Sequence, residues 1–160
     1  HWTQALEGDR LSVEKALATP RKDEDNLLGT VWRTYIAKLV GQDEQAQQVW
    51  TDVRQETFLP RWLKNPVDLF LGDRKPFELL NEMGDSRFWQ GHTHFCVGAH
   101  YLLSKSDRNK AIQHFDACIA ANSWNTDFHH LAIALREKLR SDENWPDVLR
   151  IETQLDGETQ

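Results

Sequence analysis

The chain has 160 residues, enough for one domain with a real core, and its 39% hydrophobic and 28% charged residues describe an ordinary water-facing protein. No apolar run approaches the ~18 residues that a membrane span needs, and no basic-then-apolar export leader is visible, so the sequence points away from a membrane. Of the net charge of −6, residues 141–160 carry −5 (six acids against Arg150), which leaves a nearly neutral body without the basic stripe that nucleic-acid binding requires.

A turn signal recurs along the chain. It is read at Gly8-Asp9, Gly41-Gln42-Asp43, Gly72-Asp73, Ser106-Asp107 and Ser141-Asp142, in steps of 33, 31, 34 and 35 residues. Glycine ends a helix because it accepts positive φ, while Asp and Ser cap the next helix start. Such a turn every ~34 residues predicts a stack of helix–turn–helix units.

The segments around the turns have helical periodicity. Trp2 to Leu6 reads as the end of a first helix, and the charged stretch Arg21 to Asn26, with Asp23, Glu24 and Asp25, as a solvated linker. Leu28, Val31, Trp32, Tyr35, Ile36, Leu39 and Val40 form one stripe before the second turn; Ala46, Val49, Trp50 and Val53 form another after it. The next unit is irregular: Pro60, Pro66 and Pro76 cut it into short helices, with Pro66 and Pro76 expected in first helical turns. Phe88, Gly91, Phe95, Gly98, Ala99, Leu102 and Leu103 then face Ala111, Ile112, Phe115, Cys118 and Ile119 across the fourth turn. Phe128, Leu131, Ala132, Leu135 and Leu139 make a last stripe, followed by Val148, Leu149 and Leu155. Each helix is apolar on one side only and must lean on neighbours.

The unit His92 to Asn125 resembles a tetratricopeptide repeat. Ala111 stands at that motif's second-helix alanine, Phe95 and Phe115 at its aromatic positions, Gly98-Ala99 at the small pair where two helices touch, and Cys118 at a small-residue position. Ser123 replaces the usual terminal proline and Leu102 the usual tyrosine. The unit from Leu27 to about Pro60 matches through Ala46 and Trp50, with Thr34 in place of the small residue. The resemblance implies an all-α, right-handed superhelix (solenoid) of four to five hairpins over residues 1–155, with 156–160 a disordered acidic tail. The partial first unit implies a fragment of a longer repeat array or an atypical cap.

Function follows from that implied face. First helices of such hairpins line a concave groove, which places Tyr35, Lys38, Trp62, Thr93, Cys96, His100 and Lys138 where a protein or peptide partner would dock. Aromatic side chains supply contact area there and polar tips fix the partner's backbone. Phe128 and Leu131, at similar positions, are expected to pack into the next hairpin, and Trp124 is a further exposed aromatic. Two alternatives stand beside this reading. One is a structural segment that self-associates through exposed repeat ends, with Trp2 and Leu6 at the cut edge. The other is a metal- or small-molecule-binding helical domain on His92, Cys96 and His100, spaced i, i+4, i+8 on one helix face. His94 and His114 lie near them on facing helices. His129-His130 reads as a helix start with one ring packed and one solvated.

The expected assignment has no metal site and no cofactor, because lone thiols such as Cys96 and Cys118 are more often core residues than ligands. No phosphate loop, nucleophile elbow or zincin motif appears, so an enzyme is not expected.

Overall fold

Seven helices and no strand make up the residues that the computed structural model describes, 27–56 and 58–147. They are α1 (Leu27–Leu39), α2 (Asp43–Arg54), α3 (Arg61–Leu71), α4 (Pro76–Glu82), α5 (Arg87–Lys105), α6 (Arg108–Ala120) and α7 (Asp127–Ser141). The all-α class is thus observed over that span. None of these helices is long and apolar enough to cross a membrane. The first turn signal, Trp2, Leu6, the linker 21–26, residues 148–155 and the acidic tail lie outside the described residues, as do the side chains of Leu28 and Trp32.

The helix-ending glycine of the turn signal is found at two positions and its capping Asp at one, whereas Asp43 and Asp73 do not cap the helices that follow them. Gly41 ends α1 at φ 82°, and the Gln42 amide bonds back to the Ala37 carbonyl at 2.8 Å, closing a Schellman-type cap. Gly72 does the same for α3 at φ 84°, with the Asp73 amide on the Asp68 carbonyl at 2.8 Å. Ser106, expected to cap the next helix, instead takes this left-handed role after α5 at φ 50°, and the Asp107 carboxylate caps α6 by accepting from the Lys110 amide at 3.1 Å. The fifth signal differs: Asp142 leaves α7 in extended conformation. The segment after it is held instead by Arg108, whose guanidinium donates to the carbonyls of Asp142, Glu143 and Trp145 and brings Trp145 into the core.

α5 is the central helix and touches α1, α3, α4, α6 and α7. The α1–α2 and α5–α6 pairs pack as hairpins, as their short connections require. Gly98 makes the second hairpin possible, because a Cβ there would stand 2.9 Å from the Phe115 ring and 3.3 Å from the Ala111 carbonyl oxygen. A relay of rings joins the two halves: Trp50 stacks on Phe70 at 5.5 Å, Phe70 meets Tyr35 at 5.3 Å, and Tyr35 meets Phe95 at 6.0 Å. Phe95 in turn contacts Phe115 and Phe128. Buried rings and aliphatics of this size each contribute about 1.5–3 kcal/mol through desolvation, so the stripes hold the stack together.

One sequence expectation fails. Pro60 precedes α3 and Pro76 begins α4, but Pro66 lies in the middle of α3 rather than in a first turn. The Trp62 carbonyl thereby lacks its helical donor, and His92 of the neighbouring α5 stands near it.

Candidate functional site

The site grows out of that proline. Pro66 has no N–H for the Trp62 carbonyl one turn earlier, and its ring pushes that carbonyl outward. His92, on the adjacent α5, stands near that carbonyl, which favours its protonated form. One turn further along α5, the Cys96 sulfur lies 3.7 Å from His92 Nε2. The Tyr35 hydroxyl of α1 completes the chain, close enough to Cys96 for the two groups to influence each other's pKa. The helices α1, α3 and α5 therefore meet along one polar thread in an otherwise apolar wall.

Above this thread opens a cleft of about 330 Å³. Its floor is buried and consists of Val31, Tyr35, Leu63, Pro66, Phe95 and Cys96. Its walls are Trp62, His92, Phe128 and Phe88, the last 41% exposed at the mouth. Phe88 stacks on His92 (6.1 Å, 8°) and meets Phe128 edge-on at 5.5 Å, so these rings hold one another in place. Asn125, Thr126 and Asp127, at the start of α7, form a polar rim opposite Trp62. Gly91 seats that rim against α5, since a Cβ there would lie 2.5 Å from Ser123 Oγ and 3.1 Å from the Phe128 ring. Ser123, standing where the resembled repeat has proline, is buried at this contact.

Burial governs the electrostatics. It lowers the His92 pKa to about 4; the Trp62 carbonyl partly opposes this and the Arg61 charge adds to it. Burial also raises the Cys96 thiol well above its ordinary value, aided by Cys118, and raises the Tyr35 hydroxyl. At neutral pH the thread is therefore an uncharged imidazole, a thiol and a phenol, not a thiolate–imidazolium pair. The arrangement offers apolar contact area and neutral hydrogen-bonding groups.

The predicted site residues divide between this cleft and the interior. Tyr35, Trp62 and Cys96 come together on it. Thr93 is buried within the packing of α5 and does not reach it. Lys38 is also buried, its ammonium 2.9 Å from the Asp43 carboxylate. His100 lies edge-on to Phe70 at 5.6 Å, away from His92 and Cys96. Burial, with the charges of Lys105 and Lys38, brings its pKa to about 4. Lys138 pairs with Asp142 at 3.5 Å on α7. His92, Cys96 and His100 do not converge, and among the described residues no three His, Cys, Asp or Glu side chains form a metal-holding group. Phe128 and Leu131 are buried as expected, Trp124 is 66% exposed, and His129 is packed while His130 is exposed.

Sequence reasoning placed Phe88 in the core and valued His92 only as a possible ligand. The available signal was Pro66 itself: a proline inside a helical stripe frees the carbonyl four residues earlier, and that carbonyl needs a donor. The chain matches no family model, no curated protein and no solved structure.

Proposed function

We propose that this chain is a tetratricopeptide-like protein-interaction module whose helical hairpins present the cleft between α1, α3 and α5 to a peptide segment of a partner protein. The occupant is an extended peptide that inserts one aromatic or branched aliphatic side chain between Trp62, Phe88 and Phe128. Its main chain runs along the polar rim of Asn125 and Asp127. One observation carries this reading: a ring-walled cleft of about 330 Å³, open at the surface, with a hydrogen-bonding edge on one side. That volume lies at the lower end of the range for ligand clefts and suits a side-chain anchor. The apolar wall supplies affinity, and the rim supplies direction to a strand-like ligand.

The test is selection of a displayed random peptide library on the intact chain, with titration of the enriched peptides against variants. The expected result is a motif with one fixed aromatic or aliphatic position. Its binding falls at least about tenfold in Trp62→Ala and in Phe88→Ala, the scale of a hot-spot truncation, while Trp124→Ser binds normally. Enrichment of the same peptides on a Trp62→Ala/Phe88→Ala double variant would defeat the cleft assignment. A chain that selects no peptide and sediments as an oligomer would favour the self-associating alternative.

A further inference from the structure

Another face of α3 carries an unmet charge. Lys64 and Asp68, one turn apart, line a pocket of about 440 Å³ that shares no residue with the cleft. Arg54 at the end of α2, Leu59 in the connection that follows, and Asp73 and Arg74 in the turn after α3 complete its lining. Two of the cations are already committed: Arg54 pairs with Asp73, and Arg74 with Glu82 of α4 at 2.5 Å. Asp68 is different. It is only 8% exposed, and among the described residues no hydrogen bond or ion pair reaches its carboxylate. Its carbonyl accepts from the Asp73 and Arg74 amides, so the deficit lies in the side chain alone. Asp68 also stands in the last turn of α3, where the negative end of the helix dipole disfavours an acid. A buried carboxylate without a counter-charge destabilises the fold, so this one calls for a cation from outside the chain. Lys64, exposed on the same lining, is likewise unpaired among the described residues.

We propose that this pocket binds a free α-amino acid, with its ammonium on the Asp68 carboxylate and its carboxylate on the Lys64 ammonium. Once the internal ion pairs are made, the lining offers one buried anion and one exposed cation. The complementary ligand therefore carries one charge of each sign. Residues one turn apart on a helix stand about 5–6 Å from each other at Cβ, so a ligand whose two charges sit on neighbouring bonds reaches both. An α-amino acid is such a ligand, and its ammonium has donors enough for both carboxylate oxygens. A simple anion such as phosphate would stand against Asp68, and a simple amine would leave Lys64 without a partner. Leu59 is the one apolar residue of the lining, so the pocket favours a small or polar amino acid, in contrast to the ring-walled cleft.

The test is calorimetric titration of the intact chain with free glycine, serine, threonine, asparagine and glutamine, one at a time. At least one binds, with one molecule per chain. Its N-acetyl derivative, which lacks the ammonium, and the Asp68→Asn variant each weaken binding by at least about thirtyfold, the scale of a truncated buried charge pair. Its amide, which lacks the carboxylate, and Lys64→Gln each weaken binding by up to about fivefold, the scale of an exposed pair. The amide binds Lys64→Gln as it binds the parent, because the contact is already gone. The Trp62→Ala/Phe88→Ala double variant binds the amino acid normally, which separates this pocket from the cleft. Without ligand, Asp68→Asn melts at or above the parent, since it removes an unpaired buried charge. No binding by any of the five at millimolar concentration, or an Asp68→Asn variant that binds as the parent does, would overturn the assignment. So would Asp68→Asn melting below the parent, because the carboxylate would then serve the fold.

Discussion

The α3–α4 and α5–α6 pairs use the same turn signal but build different things. α5 and α6 run for 19 and 13 residues, meet across Gly98, and join through Ser106-Asp107. α3 and α4 run for 11 and 7 residues, with one proline inside the first and another opening the second. The regular pair satisfies its backbone within itself and serves as the frame. The irregular pair does not: Pro66 removes the helical donor of the Trp62 carbonyl, and His92 and the cleft lie beside that break. Regularity here gives stability, while the broken rule gives the site.

The strongest way to break this comparison is to attack the frame. Gly98→Val puts branched carbons where a single Cβ already stands 2.9 Å from the Phe115 ring and 3.3 Å from backbone. Neither neighbour can yield, because Phe115 is fully buried. We expect a loss of about 3 kcal/mol in urea unfolding, the upper range for overpacking. A variant with the parent's midpoint would mean that the hairpin does not depend on that contact.

The next test addresses the thread. His92→Ala removes a buried ring from beside the Trp62 carbonyl, at a cost of about 2–3 kcal/mol. In a Pro66→Ala background the restored N–H can take the carbonyl, so the same change should cost about 1 kcal/mol less. Equal costs in both backgrounds would show that Pro66 and His92 are not coupled.

Much of the frame was legible in the sequence, because close packing leaves residue-type marks. Gly98 and Phe115 were placed by the resemblance to a tetratricopeptide repeat, and Gly41 and Gly72 by the positive φ that a helix end needs, whereas Ser106, expected as a cap, takes that φ instead. The sequence implied that one ring of His129-His130 packs without showing which, and it is His129 that is buried. The cleft was legible only in part. Tyr35, Trp62 and Cys96 fell on it, but Thr93, Lys38 and His100, at comparable positions, were covered by neighbouring helices. A position on a first helix sets which way a side chain points; what stands opposite depends on the tilt and length of the next helix. The short α3 and α4 made that unpredictable. Pro66 misled for the same reason, since His92, which stands near the freed carbonyl, lies 26 residues away and leaves no local trace.

A third test uses protons. His92 has a folded pKa of about 4 against an ordinary value of 6.5, so between these values the unfolded chain binds more protons than the folded one. Its contribution is therefore complete above pH 6.5 and is lost as pH falls towards 4. For His92 alone the loss by pH 5 is about 2 kcal/mol, and buried His100 acts in the same direction. Urea midpoints between pH 7.5 and 4.5 should fall accordingly, with a shallower slope in His92→Gln. An unchanged slope in that variant would place the acid sensitivity elsewhere.

The smallest effect compares the two turns directly. Ser106 and Gly72 hold the same left-handed conformation, at φ 50° and 84°. Only glycine adopts it without a Cβ penalty. Ser106→Gly should therefore stabilise the chain by about 0.5–1 kcal/mol, even though glycine also widens the unfolded ensemble. Gly72→Ser should cost about 1 kcal/mol, and the reason can be isolated because a Cβ at Gly72 meets nothing within 4 Å. Any loss there is conformational rather than steric. Opposite signs of this size would establish that both turns are the same device made with different residues. If Ser106→Gly destabilises instead, the Ser106 side chain does more in the frame than occupy a left-handed cap, and the likeness of the two turns ends at their φ angles.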